Sequence, residues 1–281
     1  MLSDKLIITA ALCGAGTTKE QTPYVPITPE EIANDAVACV RNGAAIIHIH
    51  VRDEQGKNSM DTALFAHVVQ MVRKRLTEEN LDAVLNLTTS GSSWSEDTRL
   101  AHLPVLKPEM CSYDPGTMNW GNSYVFLNTP AFLERLGLLS QELDIKPEIE
   151  IFDAGMIGTV EYLLRKGFLK APCHYQFVLN VPGGMPGTIE SLAYLLPKLP
   201  PNSTWSITGI GASHLPMMLA GLAAGCNGLR VGLEDNVYMK KGVLATNAEL
   251  VKRAVELAQT ANRQIANAAE AREILGLKKK T

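Results

Sequence analysis

The chain has 281 residues, 46% of them apolar and 20% charged, and its 26 basic against 29 acidic side chains leave a formal net charge of −3. This is the composition of an ordinary soluble globular protein, and the near-balance of charge, with no Lys/Arg cluster inside the fold, excludes nucleic acid and an anionic membrane surface as main partners. With no basic region ahead of an apolar one in residues 1–6, no apolar run of about 18 residues, and an odd set of cysteines without paired spacing (Cys13, Cys39, Cys111, Cys173, Cys226), the expected location is the cytoplasm, without export or membrane insertion.

Short β-rich runs alternate with helical periodicity along the whole chain. Strands are predicted near 5–11, 45–51, 82–88, 109–113, 146–152, 175–181, 204–209 and 228–232. Helices fall near 29–42, 61–78, 96–102, 130–136, 156–166, 187–197, 213–224, 246–259 and 268–275. Thr28-Pro29-Glu30-Glu31 and Thr246-Asn247-Ala248-Glu249 read as capping boxes, while Gly43, Gly137 and Gly167 read as left-handed helix stops. Lys278-Lys279-Lys280-Thr281 reads as a solvated tail.

Such alternation implies βαβ units and a parallel sheet. No Gly-x-Gly-x-x-Gly follows the first strand, where an open dinucleotide-binding sheet would carry it, so the prediction is an α/β fold. The predicted form is a (β/α)8 TIM barrel, expected as a single domain over 1–281 that includes the last helix and the basic tail. In that architecture chemistry sits at the C-terminal ends of the strands.

The strongest local signal is Ile46-Ile47-His48-Ile49-His50-Val51-Arg52-Asp53. Residues two apart on a strand share a face, so His48, His50 and Arg52 point one way and Ile47, Ile49 and Val51 the other. Two imidazoles from one strand make a metal platform or a pair of hydrogen-bonded core histidines; catalytic zinc needs one more protein ligand and an open position. Strand eight ends in Leu233-Glu234-Asp235-Asn236, and barrel closure sets strands two and eight on either side of strand one. Glu234 can therefore complete a two-His, one-carboxylate set, unless the acidic pair only complements a helix dipole. Asp235 beside Arg230 is a candidate base, with its pKa expected to be lowered by the neighbouring cation.

On strand five, Glu148 and Glu150 share a face, and Arg52 or Arg230 is the expected partner for one of them; Glu150 lies nearer the ligand end. Gly-bearing loops at 180–187 and 209–211, and Thr88-Thr89-Ser90-Gly91, offer backbone N–H groups or simply tight turns. His67 and His102 on helices and His174 at the far end of strand six read as structural or exposed, and His214 as within reach of the site.

The whole chain resembles the β-keto acid cleavage enzymes. The matching stretches are Ile8-Thr9-Ala10-Ala11 with Pro26-Ile27-Thr28, Ile47-His48-Ile49-His50-Val51-Arg52, Leu106-Lys107-Pro108-Glu109-Met110, Gln176-Phe177-Val178-Leu179 with Pro182-Gly183-Gly184-Met185, and Gly232-Leu233-Glu234-Asp235-Asn236. The resemblance implies a zinc-bearing barrel that takes a β-keto acid and acetyl-CoA and yields acetoacetate and a new acyl-CoA, commonly as a homotetramer. It puts zinc on His48, His50 and Glu234, the base assembly on Asp235 with Arg230, and substrate contacts on Gly16, Thr88, Ser112, Asp114 and Glu150. Gly16 stands where the aminohexanoate-cleaving members have a glutamate that meets the substrate amine. Thr88 replaces their serine, and Ser112-Tyr113-Asp114 their Thr-Leu-Asn. Asp114 and Glu150 can balance a cationic substrate tail, with Tyr113 or Trp120 offering a π face. Two other readings compete. One is an amidohydrolase-type metal hydrolase, which places His-x-His on strand one and adds later histidines missing here. The other is a non-catalytic zinc- or CoA-binding barrel, which needs a fourth protein ligand that the sequence does not supply.

Overall fold

Eight parallel strands form in sequence order and close on themselves in the computed structural model, which describes residues 4–91 and 93–278. They are β1 (Ile7–Ala11), β2 (Ile46–Ile49), β3 (Val84–Leu87), β4 (Met110–Tyr113), β5 (Lys146–Ile151), β6 (His174–Leu179), β7 (Thr204–Gly209) and β8 (Gly228–Val231). Closure pairs β8 with β1, Ile7 opposite Gly228 and Thr9 opposite Arg230, and β1 with β2, Ala11 opposite His48. This is the predicted (β/α)8 barrel. Its connecting helices are α1 (Pro29–Arg41), α2 (Thr62–Glu78), α3 (Glu96–Leu100), α4 (His102–Leu106), α5 (Pro130–Glu142), α6 (Ala154–Arg165), α7 (Ile189–Leu195), α8 (His214–Ala223) and α9 (Asn247–Thr260), with α10 (Ala268–Leu275) following. Both predicted capping boxes form, at Thr28 with Glu31 and at Thr246 with Glu249. Lys278 is exposed and pairs with Asp144 at 2.9 Å; residues 1–3 and the rest of the predicted tail lie outside the described residues.

Strand alternation sorts the side chains into two layers. Ile8, Ala10, Ile47, Ile49, Leu85 and Leu87 pack outward with the helices in one large core. Ile7, Ile46, Val84 and Met110 point inward at the start of their strands and pack with Ala271 and Leu275 of α10. Arg272 of the same helix donates to Asp82 at 2.6 Å and to Glu109. The N-terminal mouth is thus plugged, and the open end is the C-terminal one. Above the plug the barrel interior is polar, with His48, Asn86, Glu148, Gln176, Ser206 and Arg230 all buried. Apolar branched residues are the usual filling of a TIM barrel, so this much buried polarity marks a reaction chamber.

Three local expectations are corrected. β2 stops at Ile49, and Val51–Arg52 turns away to pair antiparallel with Asn58–Ser59. The helix expected at 96–102 is two one-turn pieces, α3 and α4, joined at Ala101. Gly137 is no helix stop: it sits inside α5, where an added Cβ would lie 2.2 Å from the Phe168 carbonyl oxygen. It is small so that the loop after α6 can press on the helix, whereas Gly43 and Gly167 do adopt the left-handed stop, with φ of +110° and +79°. Antiparallel hairpins at Met118–Trp120 with Tyr124–Phe126 and at Tyr238–Lys240 with Val243–Leu244 were not foreseen. No helix among the described residues is long and apolar enough to cross a membrane.

His67 is exposed on α2, whereas His102 is wholly buried on α4 and stacks on Phe65 at 4.2 Å. Burial pushes the His102 pKa down to about 4. The unfolded chain protonates the same imidazole near 6.5, so below that pH the unfolded state binds the extra proton and the fold loses stability as pH falls towards 4. A His102→Leu variant is spared this loss. Its stability relative to wild type should rise by about 2 kcal/mol between pH 7.5 and pH 5, read as the difference between urea unfolding free energies. A difference that does not change with pH would show that His102 protonates freely in the fold.

Candidate active site

The loop after β8 is pulled hard against β1. Gly232 has φ of +145°, and a Cβ there would lie 2.0 Å from the Ala11 carbonyl oxygen. On the other side Gly14 lies so close to Glu234 that a Cβ on it would fall 2.5 Å from the glutamate Cγ. The backbone thus drops Glu234 between β8 and β2. Its Oε2 lies 3.7 Å from His48 Nε2 and its Oε1 3.4 Å from His50 Nε2, and the three donor atoms lie within 4.8 Å of one another. Zinc bonds of about 2.0–2.1 Å in a tetrahedral set separate neighbouring donors by roughly 3.3 Å. Both imidazoles are buried, and Glu234 Oε2 is buried without a hydrogen-bond partner. Burial pushes the His48 pKa down to about 3, which keeps the ring neutral, the form that ligates a metal. These residues fit a divalent ion. No helix starts at Glu234–Asp235, which lie in a turn, so the pair has no helix dipole to complement.

Arg230, rising from β8, organises the acids. Its Nε and Nη2 donate to the two Asp235 oxygens at 2.9 and 3.0 Å, Nη2 also donates to Glu234 Oε1 at 2.6 Å, and Nη1 to Glu150 Oε1 at 3.1 Å. Burial disfavours ionisation of Glu234, but Arg230, His50 and His48 together more than offset it and hold that carboxyl well below its ordinary range. Asp235 goes the other way. Burial raises it despite Arg230 and the Thr208 hydroxyl at 3.1 Å. The expectation that the neighbouring cation lowers Asp235 is therefore corrected, because desolvation of a fully enclosed carboxylate is the larger effect. Burial also raises Glu150 well above its usual value and Glu148 to about 7. Glu148, Glu150 and His48 form a second cluster of metal-ligating type. With Asn86 donating to Glu148 at 2.6 Å and Arg230 to Glu150, both high-pKa carboxyls are poorer ligands than Glu234.

A cavity of about 750 Å³ opens from these groups. Gly16, His50, Asp114, Glu150, Arg230, Glu234 and Asp235 all line it. Thr88 and Ser112 lie behind its wall, wholly buried: Thr88 Oγ1 accepts from the Ser90 N–H at 3.0 Å and Ser112 Oγ from the Thr89 N–H at 2.9 Å. Arg52 does not share the histidines' face. The strand has ended, and its guanidinium donates to the carbonyls of Cys13, Gly14, Thr17 and Gly56, fixing the loop after β1. Tyr113 offers no π face to the cavity; it points outward, and its hydroxyl donates to the Leu133 carbonyl at 2.6 Å. The Gly184 and Gly211 N–H groups are spent on Val181 and Asp235 carbonyls. Gly183 is small because a Cβ would fall 1.9 Å from the Asn119 carbonyl oxygen. His174 sits low in the barrel between Thr204 and Ser206 hydroxyls at 2.9 and 3.1 Å, and His214 is buried at the start of α8, outside the lining.

A family model described as beta-keto acid cleavage enzyme matches residues 5–277. The chain belongs to the beta-keto acid cleavage enzyme family. It is 40% identical over 279 residues to a 3-keto-5-aminohexanoate cleavage enzyme of Fusobacterium nucleatum subsp. nucleatum, covering 99% of this chain and 100% of the relative. It is 34% identical over 301 residues to 3-dehydrocarnitine:acetyl-CoA trimethylamine transferase of Rhizobium meliloti, covering 99% of each. A solved structure of ObcA in a binary complex with oxaloacetate aligns with a TM-score of 0.79 at 23% identity, over 92% of this chain and 68% of that one, a likeness of fold. As a beta-keto acid cleavage enzyme, the protein cleaves carbon–carbon bonds of β-keto acids, and the hydrolase and non-catalytic readings fall away.

In this cleavage enzyme the largest part of the cavity wall that the sequence did not disclose is the hairpin after β4. It brings Trp120, which the sequence did offer as a π face, to the lining together with Tyr124, Val125 and Phe126, and Phe152 joins them. Trp120 meets Phe126 and Phe152 edge-on, with centroids 5.3 and 5.2 Å apart. The signal was present: Gly121-Asn122 between aromatic residues is a hairpin turn sequence, and both residues have positive φ, +61° and +53°.

Proposed function

We propose that this enzyme is a zinc-dependent acyltransferase that condenses a β-keto acid with acetyl-CoA and returns acetoacetate and a new acyl-CoA. The observation that carries the proposal is the convergence of two imidazoles and one anionic carboxylate beside the Arg230–Asp235 pair, at the open mouth of the barrel. His48, His50 and Glu234 would hold the ion, which when bound supplies Lewis-acid stabilisation of negative charge on the keto oxygen. Asp235, locked in plane by the bidentate Arg230, accepts a proton from C2, between the two carbonyl groups of the substrate. Its raised pKa makes it a better base than a free aspartate would be. The C2 carbanion attacks the thioester carbonyl, and the carbon–sulfur bond breaks to release CoA thiolate. The thiolate then adds to the original keto carbon. The bond from that carbon to C2 breaks, its electron pair stays on C2, and the proton held by Asp235 returns there.

Acetoacetate release from a panel of β-keto acids with acetyl-CoA tests the reaction; silence on the whole panel would overturn it. Asp235→Asn tests the base. It should lower kcat by about 10²–10⁴-fold and abolish exchange of the C2 hydrogens with D2O in the absence of acetyl-CoA. Exchange at the wild-type rate in that variant would remove Asp235 from proton transfer.

A further inference from the structure

Asn247 belongs to the capping box read from the sequence, but the cap is closed by its neighbours, Thr246 and Glu249. As the first residue of α9 it is wholly buried, and it lines no part of the cavity. Its side chain reaches the loop after β8 instead. Oδ1 accepts from the Leu233 N–H at 2.7 Å, while Nδ2 donates to the Leu12 carbonyl at 2.8 Å and to Asp35 Oδ2 on α1. The Leu233 carbonyl in turn accepts from the Thr17 hydroxyl at 2.8 Å. Both backbone polar groups of the residue before Glu234 are therefore held by side chains. One of those side chains also ties down the loop after β1, whose Gly14 lies against the glutamate.

An amide has an acceptor end and a donor end, and here the two cannot be exchanged. Turned over, Asn247 would set its oxygen against the Leu12 carbonyl and the Asp35 carboxylate, and its NH2 against an N–H. Desolvation pushes the half-buried Asp35 up to about 6, against the pull of Asn247. That leaves it an anion at pH 7.5, and so an acceptor only. Asp35 thus fixes which way the amide faces, and the amide fixes the Leu233 backbone. Precision matters at the next residue, because a ligand has to be held within about 0.5 Å of its place by groups that are themselves locked. Arg230 holds Glu234 Oε1, but Oε2 has no hydrogen-bond partner, so its place is set by the backbone from which it hangs. We infer that Asn247, oriented by Asp35, is a positioning residue that sets the Glu234 backbone for metal ligation, acting from two helices outside the cavity. This rests on the metal-dependent reading above.

A clamp that only stabilised the fold would lower the unfolding free energy and leave the zinc affinity of the folded protein alone. The test therefore measures zinc affinity of the metal-free protein by competition with a chromophoric chelator at pH 7.5, beside urea unfolding of the same preparations. Asn247→Asp keeps the acceptor for the Leu233 N–H but turns an oxygen on Leu12 and Asp35. It should weaken zinc binding by about 10–100-fold, the usual effect of losing a partner behind a metal ligand. Asp35→Leu frees the amide to turn and should weaken binding by about tenfold, the lower end of that span. Asp35→Asn can still accept from Asn247 Nδ2 and should bind zinc as the wild type does. Should Asn247→Asp fail to fold, the two Asp35 variants still decide. Equal affinities in Asp35→Leu and Asp35→Asn, or wild-type affinity in a folded Asn247→Asp, overturn the positioning role and leave the metal site standing. Absence of zinc binding by the wild type overturns the metal site, and the positioning role with it.

Discussion

Glu234→Gln is expected to purify with much less than one zinc per chain and to lose at least 10³-fold in kcat at trace zinc, with part of the activity returning when zinc is added in excess. The substitution keeps the shape of the side chain and an oxygen for the Arg230 Nη2 donor that now sits 2.6 Å away. What it removes is the negative charge that faces His48 and His50 at 3.7 and 3.4 Å. Without that charge the donor set is two neutral imidazoles and a carbonyl, a poor match for a dication held beside a permanent guanidinium. Zinc content by atomic spectroscopy and steady-state rates on the same preparation give both readings. Full zinc with undiminished catalysis would take Glu234 out of the site altogether. Exhaustive chelation of the wild type should reproduce the activity loss and be reversed by zinc, with its far-ultraviolet circular dichroism unchanged, because the ligands hang from barrel strands that pair through the backbone.

What the sequence revealed follows from how local each signal is. His48 and His50 were legible because a strand has a period of two and Ile47 and Ile49 fix which face is core. Glu234 was legible because strand order in a closed barrel sets β8 and β2 on either side of β1. Arg52 was misread for the same reason that the histidines were read correctly: the alternation was carried past Ile49, where the ladder stops and a hairpin begins. The direction of the Asp235 shift was missed because a sequence shows the cation next to an acid but not how little water reaches it. Trp120 apart, the aromatic wall was hidden in the hairpin 118–126, a short antiparallel insertion whose contribution to the cavity depends on Gly183 letting the loop after β6 come close to Asn119. Gly137 shows the limit of reading glycine as a stop: close backbone approach uses the same residue as a left-handed turn, and only tertiary contacts tell them apart.

Arg230→Met should be the most damaging single change for both stability and turnover, because one guanidinium serves three buried carboxylates. Removing one partner of a buried pair costs about 3–5 kcal/mol, and the methionine supplies no donor to Glu150, Glu234 or Asp235. Arg230→Lys should recover little. An ammonium is a point charge that cannot span the bidentate contact to Asp235 and the separate contacts to the two glutamates. The orphaned acids give the loss a pH signature. Burial already raises Glu150 and Asp235 with the guanidinium in place, and without it they rise further above their unfolded values. The folded variant then holds protons that the unfolded chain gives up, so its stability is favoured at low pH and lost as pH rises. The deficit against wild type, measured by urea unfolding, should accordingly be smaller at pH 6 than at pH 8. A deficit below about 1 kcal/mol, the worth of an exposed pair, or one that does not change with pH, would mean that the three carboxylates find other donors when Arg230 is gone. In that case Arg230 would be a local partner of Asp235 and not the residue on which the whole acidic cluster is built.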